Sequence, residues 1–135
     1  MKFVPEHKHL IVKAKVKTPP RTDAAVKHFL SEAVDKVGMT VINGPHASYV
    51  SEPGNEGATG VAILAESHTA MHVWDAVVPA EIQFDLYSCK TFDPQVIIQM
   101  FARYNPLEIH FKFLDREFDF VELDSGTEVY GDTAT

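Results

Sequence analysis

Residues His9 to Lys17 alternate with period two. Leu10, Val12, Ala14 and Val16 share one side, and Ile11, Lys13, Lys15 and Lys17 the other. Such alternation fits a strand with one buried and one polar face, so the chain must build a sheet covered on one side. Two helical stripes indicate the cover. Between Thr22 and Val37, the residues Val26, Phe29, Leu30, Ala33, Val34 and Val37 recur at i, i+3, i+4 spacing. Thr22 or Asp23 can cap the start and Gly38 can end it. Asp93-Pro94 marks a second start, a capping residue followed by a proline whose missing N–H costs nothing at the first helical position. Ile97, Met100, Phe101 and Tyr104 form its stripe, and Asn105-Pro106 stops it.

Met39 to Val50 reads as mainly β, interrupted at Gly44-Pro45, and Ser51 to Gly57 is a turn-rich loop. The apolar run Thr59 to Ala65, flanked by glycines, favours a buried central strand. Glu81 to Ser88 alternates again, with Ile82, Phe84 and Leu86 inward. Leu107, Ile109, Phe111 and Phe113 form the inner face of a last strand. The predicted order is β-α-β-β-β-α-β. This is an α+β two-layer sandwich, a mostly antiparallel sheet with two helices on one face. The length suits one domain, residues 1–135. The acidic end, residues 120–135, is expected as a flexible, solvated tail. The polar sheet face still carries Ile11 and Tyr87, so a homodimer or higher homo-oligomer is expected to bury it.

The net charge of −7 argues against nucleic acid and anionic membrane surfaces, which attract basic patches. Cys89 is the one cysteine and can form no intrachain disulfide, which suits a reducing cytoplasm. No apolar run approaches the roughly 20 residues that span a bilayer. A cytoplasmic protein is therefore expected.

The chemistry-bearing stretch is AESHTAMHVW, Ala65 to Trp74. Three readings compete on residues alone. His68 and His72, four apart, would meet one metal ion on a helix, but along a strand four residues span about 13 Å, so no metal is expected. Ser67 lacks a G-x-S-x-G elbow, and nothing near Cys89 signals an oxyanion hole. The plain reading is a strand end with hydrogen-bonded histidines, a core Trp74 and Cys89 as a small buried hydrophobe.

GATGVAILAESHTAMHVW, followed by a β segment ending at Cys89, resembles the prokaryotic S-adenosylmethionine decarboxylase proenzymes. The shared pattern is a hydroxyl segment, an apolar strand, E-S-H, H-x-W, and then a cysteine closing the next strand. The resemblance covers roughly His9 to Phe113 and is sharp from Gly57 to Pro94. It implies self-cleavage between Glu66 and Ser67. The Ser67 hydroxyl would attack the Glu66 carbonyl, elimination would follow, and a covalent pyruvoyl group would remain at position 67. Only serine, threonine or cysteine can begin such a shift. The resemblance assigns processing roles to His72 and Thr59, the latter replacing the usual serine, and makes Cys89 the proton donor in turnover. The pyruvoyl ketone would capture the substrate amine and draw electrons from the bond to its carboxylate.

Ser67 and His72 are five residues apart, which on a straight strand means opposite faces and roughly 16 Å. A turn or bulge at Thr69–Met71 is therefore expected, or His72 acting from a neighbouring strand. The sequence also departs from the family. HVWDA replaces H-T-W-P-E, so Ala76 stands where a glutamate binds the substrate ribose. Pro53 stands where a phenylalanine stacks on adenine, and the segment from His72 to Cys89 is about two residues longer than the family's usual length. Tyr49, Trp74 and Asp75 are the candidate replacements for substrate binding. Three functions follow from the resemblance. They are S-adenosylmethionine decarboxylation for spermidine synthesis, decarboxylation of ornithine or arginine, and a non-processing partner of a paralogue.

Overall fold

The computed structural model describes residues 4–130. The alternating N-terminal segment is strand β1, Lys8–Val16, and its Leu10, Val12, Ala14 and Val16 are completely buried. The other strands are β2 (Val41–Val50), β3 (Gly57–Leu64), β4 (Ser67–Trp74), β5 (Ala80–Ser88), β6 (Pro106–Asp115) and β7 (Val121–Val129). They form one sheet in the order β2-β3-β4-β5-β1-β6-β7 with every neighbouring pair antiparallel.

Helix α1 spans Asp23–Lys36. Thr22 caps it, its hydroxyl accepting the Ala25 N–H at 3.0 Å, and Gly38 leaves it at φ 71°, where a glycine carries no Cβ penalty. Helix α2 spans Pro94–Met100, capped by Asp93, and continues as a 3-10 turn to Tyr104. Both bury their predicted stripes on one face of the sheet. Phe29 of α1 meets Phe84 of β5 and Phe101 edge-on, at ring separations of 5.8 and 5.2 Å. Each such ring contributes about 2–3 kcal/mol of burial. Helix α1 sits close over β3 because Gly60 has no side chain; a Cβ there would approach Val26 Cγ1 to 2.6 Å.

The α+β sandwich with helices on one face is as expected, but the order is β-α-β-β-β-β-α-β-β. Two strands escaped the sequence. β4 buries Thr69, Met71 and Val73, while its other side carries His68, Ala70 and His72. Its polar, reactive side chains obscured its alternation. The acidic segment expected as a flexible tail is edge strand β7, laddered to β6 from Glu108↔Val129 to Asp115↔Val121. Phe111 lies over Gly126 of β7, where a Cβ would meet its ring at 2.8 Å, and Lys112 pairs with Glu122 at 3.2 Å. Asp132 and the rest of 131–135 lie outside the described residues.

The face away from the helices is open. It carries exposed apolar groups, Ile11 (40%), Val61 (43%) and Ile63 (45%), among charged and polar ones. No helix among the described residues is long and apolar enough to cross a membrane.

Candidate active site

Strands β3 and β4 form a hairpin closed by the Leu64↔Ser67 pair, with Ala65 and Glu66 at its tip. The tip is tied to the chain entering β2. Ala65 N–H donates to the Thr40 carbonyl at 2.9 Å, and the Glu66 carboxylate accepts the Thr40 N–H at 3.0 Å. Ser67, just past the tip, has φ 142°. L-residues rarely occupy that region, and holding one there costs about 1–3 kcal/mol. The peptide between Glu66 and Ser67 is therefore under backbone strain on its serine side.

The carbonyl of that same peptide is hydrogen-bonded. Glu66 O accepts the Cys89 N–H at 2.8 Å, and the Cys89 carbonyl in turn accepts the Glu6 N–H at 2.7 Å. Cys89 follows Ser88, which pairs directly with Ser67 across β4 and β5. So Cys89, far from Glu66 and Ser67 in sequence, meets them at one end of the sheet. An N–H aimed at a carbonyl oxygen stabilises negative charge that develops there on attack. A half-buried thiol stands on the residue that supplies it.

Thr59 and His72 also meet, but elsewhere. They are directly opposed across β3 and β4, with His72 Nδ1 within 3.3 Å of the Thr59 hydroxyl. The turn or bulge expected at Thr69–Met71 is absent. β4 pairs with β5 from Ser67 to Trp74 and with β3 from Ser67 to His72, both without a register shift, because the chain reverses before Ser67. At about 3.3 Å per residue, the Thr59–His72 pair lies roughly 16 Å along the strand from Ser67. Within one chain the two halves of the candidate site are therefore apart.

The candidate substrate residues gather at the His72 end. Tyr49 donates its hydroxyl to Asp75 Oδ1 at 3.0 Å, and this hydrogen bond holds the Tyr49 phenol above its ordinary pKa. Arg21 donates to the Asp75 carbonyl at 3.3 Å. Trp74 is half-buried rather than core; its indole N–H donates to Asn55 at 2.7 Å, and its ring lies 6.1 Å from that of His72. Tyr49 pairs with buried Ala58 on the helix-facing side, at the sheet's margin.

A cluster on the open face near Ser67 was not read from the sequence. The register aligns His68, Tyr87 and His9 in one row across β4, β5 and β1. Asp85 Oδ2 lies 2.9 Å from His9 Nε2 and 3.8 Å from His68 Nε2. The Arg116 guanidinium stacks 4.0 Å over the Tyr87 ring and reaches His9 Nδ1 at 3.2 Å. His7 Nδ1 lies 2.7 Å from the Tyr87 hydroxyl. The positions of His9, Asp85 and Tyr87 on the outward parity of their strands were visible in the alternation. Their adjacency follows from β1 pairing with β5, which no local pattern encodes.

A family model for S-adenosylmethionine decarboxylase matches residues 8–117 of the chain. Among solved structures, the adenosylmethionine decarboxylase from Aquifex aeolicus VF5 is similar in fold, with a TM-score of 0.67 and 23% identity, covering 92% of this chain and 99% of that one. No curated protein matches the sequence.

Proposed function

Because the chain belongs to the S-adenosylmethionine decarboxylase family, we propose that it cuts itself between Glu66 and Ser67 and decarboxylates a small substrate with the pyruvoyl group left at position 67. The observation that carries this reading is the pairing of strain and polarisation at one peptide: Ser67 at φ 142° and the Glu66 carbonyl held by the Cys89 N–H at 2.8 Å. Attack by the Ser67 hydroxyl on that carbonyl replaces the strained amide by an ester, and the Cys89 N–H stabilises the oxyanion formed on the way. The Glu66 side chain, anchored on Thr40, keeps the carbonyl in place during attack.

These features fit a pyruvoyl group made from Ser67. Once formed, it supplies an electron sink for loss of the substrate carboxylate as carbon dioxide. Cys89 is then placed to hold the proton that the substrate carbon requires.

His72 and Thr59 are too distant to serve Ser67 of their own chain, so the reading includes a homodimer. The midpoint between Ser67 and His72 on β4 falls at Thr69–Ala70. The sheet row through Ala70 contains Val61, Asp85 and Ile11. A two-fold axis over that row, with the open faces together, would bring the partner's Thr59 and the partner's His72 to Ser67. It would also bury the exposed Ile11, Val61 and Ile63. Asp85, the charged member of the row, is already bonded by His9.

For substrate, S-adenosylmethionine is the first choice, feeding spermidine synthesis in the cytoplasm. A second reading, ornithine or arginine, is favoured by Ala76, whose methyl cannot accept ribose hydroxyls. It is also favoured by Asp75, a carboxylate beside Trp74 that accepts the Tyr49 hydroxyl on one oxygen. Intact-mass measurement tests the processing: two fragments split at 66–67, the second carrying pyruvate, are expected, and an uncut Ser67 chain that stays uncut would mark a noncatalytic partner. Carbon dioxide release from S-adenosylmethionine, ornithine and arginine in parallel decides the substrate. Mixing a Ser67→Ala chain with a His72→Ala chain should restore cleavage of the latter; no cleavage in the mixture refutes the shared site.

A further inference from the structure

Cys89 lies one residue beyond the end of β5, where the ladders to β4 and β1 have both stopped at Ser88. A residue inside an antiparallel ladder directs its N–H and its carbonyl to the same neighbouring strand. Cys89 does not. Its N–H goes to the Glu66 carbonyl, on the β4 side, at 2.8 Å, and its carbonyl accepts the Glu6 N–H, on the β1 side, at 2.7 Å. Cys89 therefore bridges two segments instead of pairing with one. Where its N–H points depends on what holds its carbonyl.

The holder is the segment Glu6–Lys8, and it is fixed by its side chains and by its backbone. His7 Nδ1 lies 2.7 Å from the Tyr87 hydroxyl, and Tyr87 is covered by the Arg116 guanidinium at 4.0 Å. Lys8, on the parity of buried Leu10, is itself buried, and its Nζ reaches Glu117 at 3.2 Å and Asp115 at 3.6 Å. Charge-assisted contacts of this kind are roughly twice as strong as neutral hydrogen bonds. The His7 carbonyl accepts the Arg116 N–H at 2.7 Å. The segment is thus clasped to the ends of β5 and β6 from both faces of the sheet. The bend after Cys89 is set separately, by Ser88 Oγ accepting the Lys90 N–H at 2.9 Å.

We propose that Glu6 is a positioning residue for self-cleavage, acting through its main-chain N–H. It holds Cys89 by the carbonyl, so that the Cys89 N–H stays aimed at the Glu66 oxygen. This rests on the self-processing reading above. Negative charge grows on that oxygen as the Ser67 hydroxyl adds to the carbonyl carbon. A donor already in place stabilises that charge more than one that must reorganise during attack. Segment Glu6–Lys8 contributes no atom to the reaction. It fixes the residue whose N–H does, from a part of the chain remote in sequence from the cleaved bond.

The test replaces the N–H of residue 6 by an ester oxygen, supplying the α-hydroxy analogue of glutamate during cell-free translation of the full-length chain. Intact mass then follows cleavage at 66–67. The replacement should slow it by on the order of 10²-fold, the lower end of what losing an oxyanion donor costs, and Glu6→Pro, which also lacks the N–H, should do the same. A second readout uses the uncut Ser67→Ala chain. There the ester at residue 6 should speed amide hydrogen exchange at Cys89 while Phe84 and Leu86 of β5 keep their protection. A fold that had merely loosened would speed all three together. Cleavage of the ester chain at the unmodified rate overturns the proposal while leaving self-processing intact. So does exchange that is unchanged at Cys89, or that rises equally along β5. An unmodified chain that never cleaves overturns both.

Discussion

Ser67→Gly and Ser67→Ala both remove the attacking hydroxyl, so both leave the 66–67 bond whole. They differ in how they tolerate φ 142°. Glycine adopts that angle freely, whereas alanine retains the penalty of about 1–3 kcal/mol. Against this, glycine loses about 0.4–1 kcal/mol through the greater freedom of its unfolded chain. The balance leaves the glycine variant more stable by about 1 kcal/mol. For a 135-residue chain this corresponds to a melting temperature higher by about 3–5 °C. Thermal and urea unfolding should be compared at equal protein concentration, because the stability of the proposed dimer would depend on it. The usual expectation runs the other way, since glycine inside a β element normally weakens it. An alanine variant that melts at or above the glycine variant would show that no strain is stored at position 67. The driving force for the acyl shift would then have to come from elsewhere.

Three further outcomes are expected. Gly57→Ala places a Cβ 1.7 Å from the Val73 carbonyl oxygen at φ 150°; no rotamer relieves a clash with backbone, so a loss of about 3 kcal/mol or more is expected by urea midpoint. Cys89→Ala keeps the main-chain N–H and should cleave normally, while turnover falls by on the order of 10²-fold; normal turnover would require another proton donor. Glu32 accepts the Arg103 guanidinium on both oxygens, and that hydrogen bonding holds its carboxyl below the ordinary 4.5. A folded pKa below the unfolded one stabilises above about pH 4.5, and the gain is lost as pH falls through the lower folded value. Glu32→Gln should therefore flatten part of the acid limb of melting temperature against pH; an unchanged limb refutes the assignment.

Wherever one face was apolar and the other plainly polar, the sequence was sufficient. β1, β5, both helices and their caps at Thr22 and Asp93 lie where the periodicity predicted. Reading failed where function or edge position altered the pattern. β4 carries two histidines and a serine on a strand whose inward residues are only Thr69, Met71 and Val73. β7 is acidic because an edge strand is half solvated, and charge there also discourages further pairing. The candidate site residues Glu66, Ser67, His72 and Cys89 were legible as a motif. The pairings that distribute them between two ends of the sheet were not.

The order of residues by itself determined which chemistry is available: a hydroxyl after a glutamate, a second hydroxyl with a histidine, one thiol, and a sheet to carry them. Local period and cap chemistry are enough for that, because they act over a few neighbouring residues. Only the tertiary structure decided which of these groups meet. Pairing Ser67 with Ser88 brings the Cys89 N–H to the Glu66 carbonyl, and pairing Thr59 with His72 holds both away from Ser67. Those juxtapositions depend on the register of strands distant in sequence, and a strand advances about 3.3 Å with every residue. A shift of one position would turn each of these side chains to the other face.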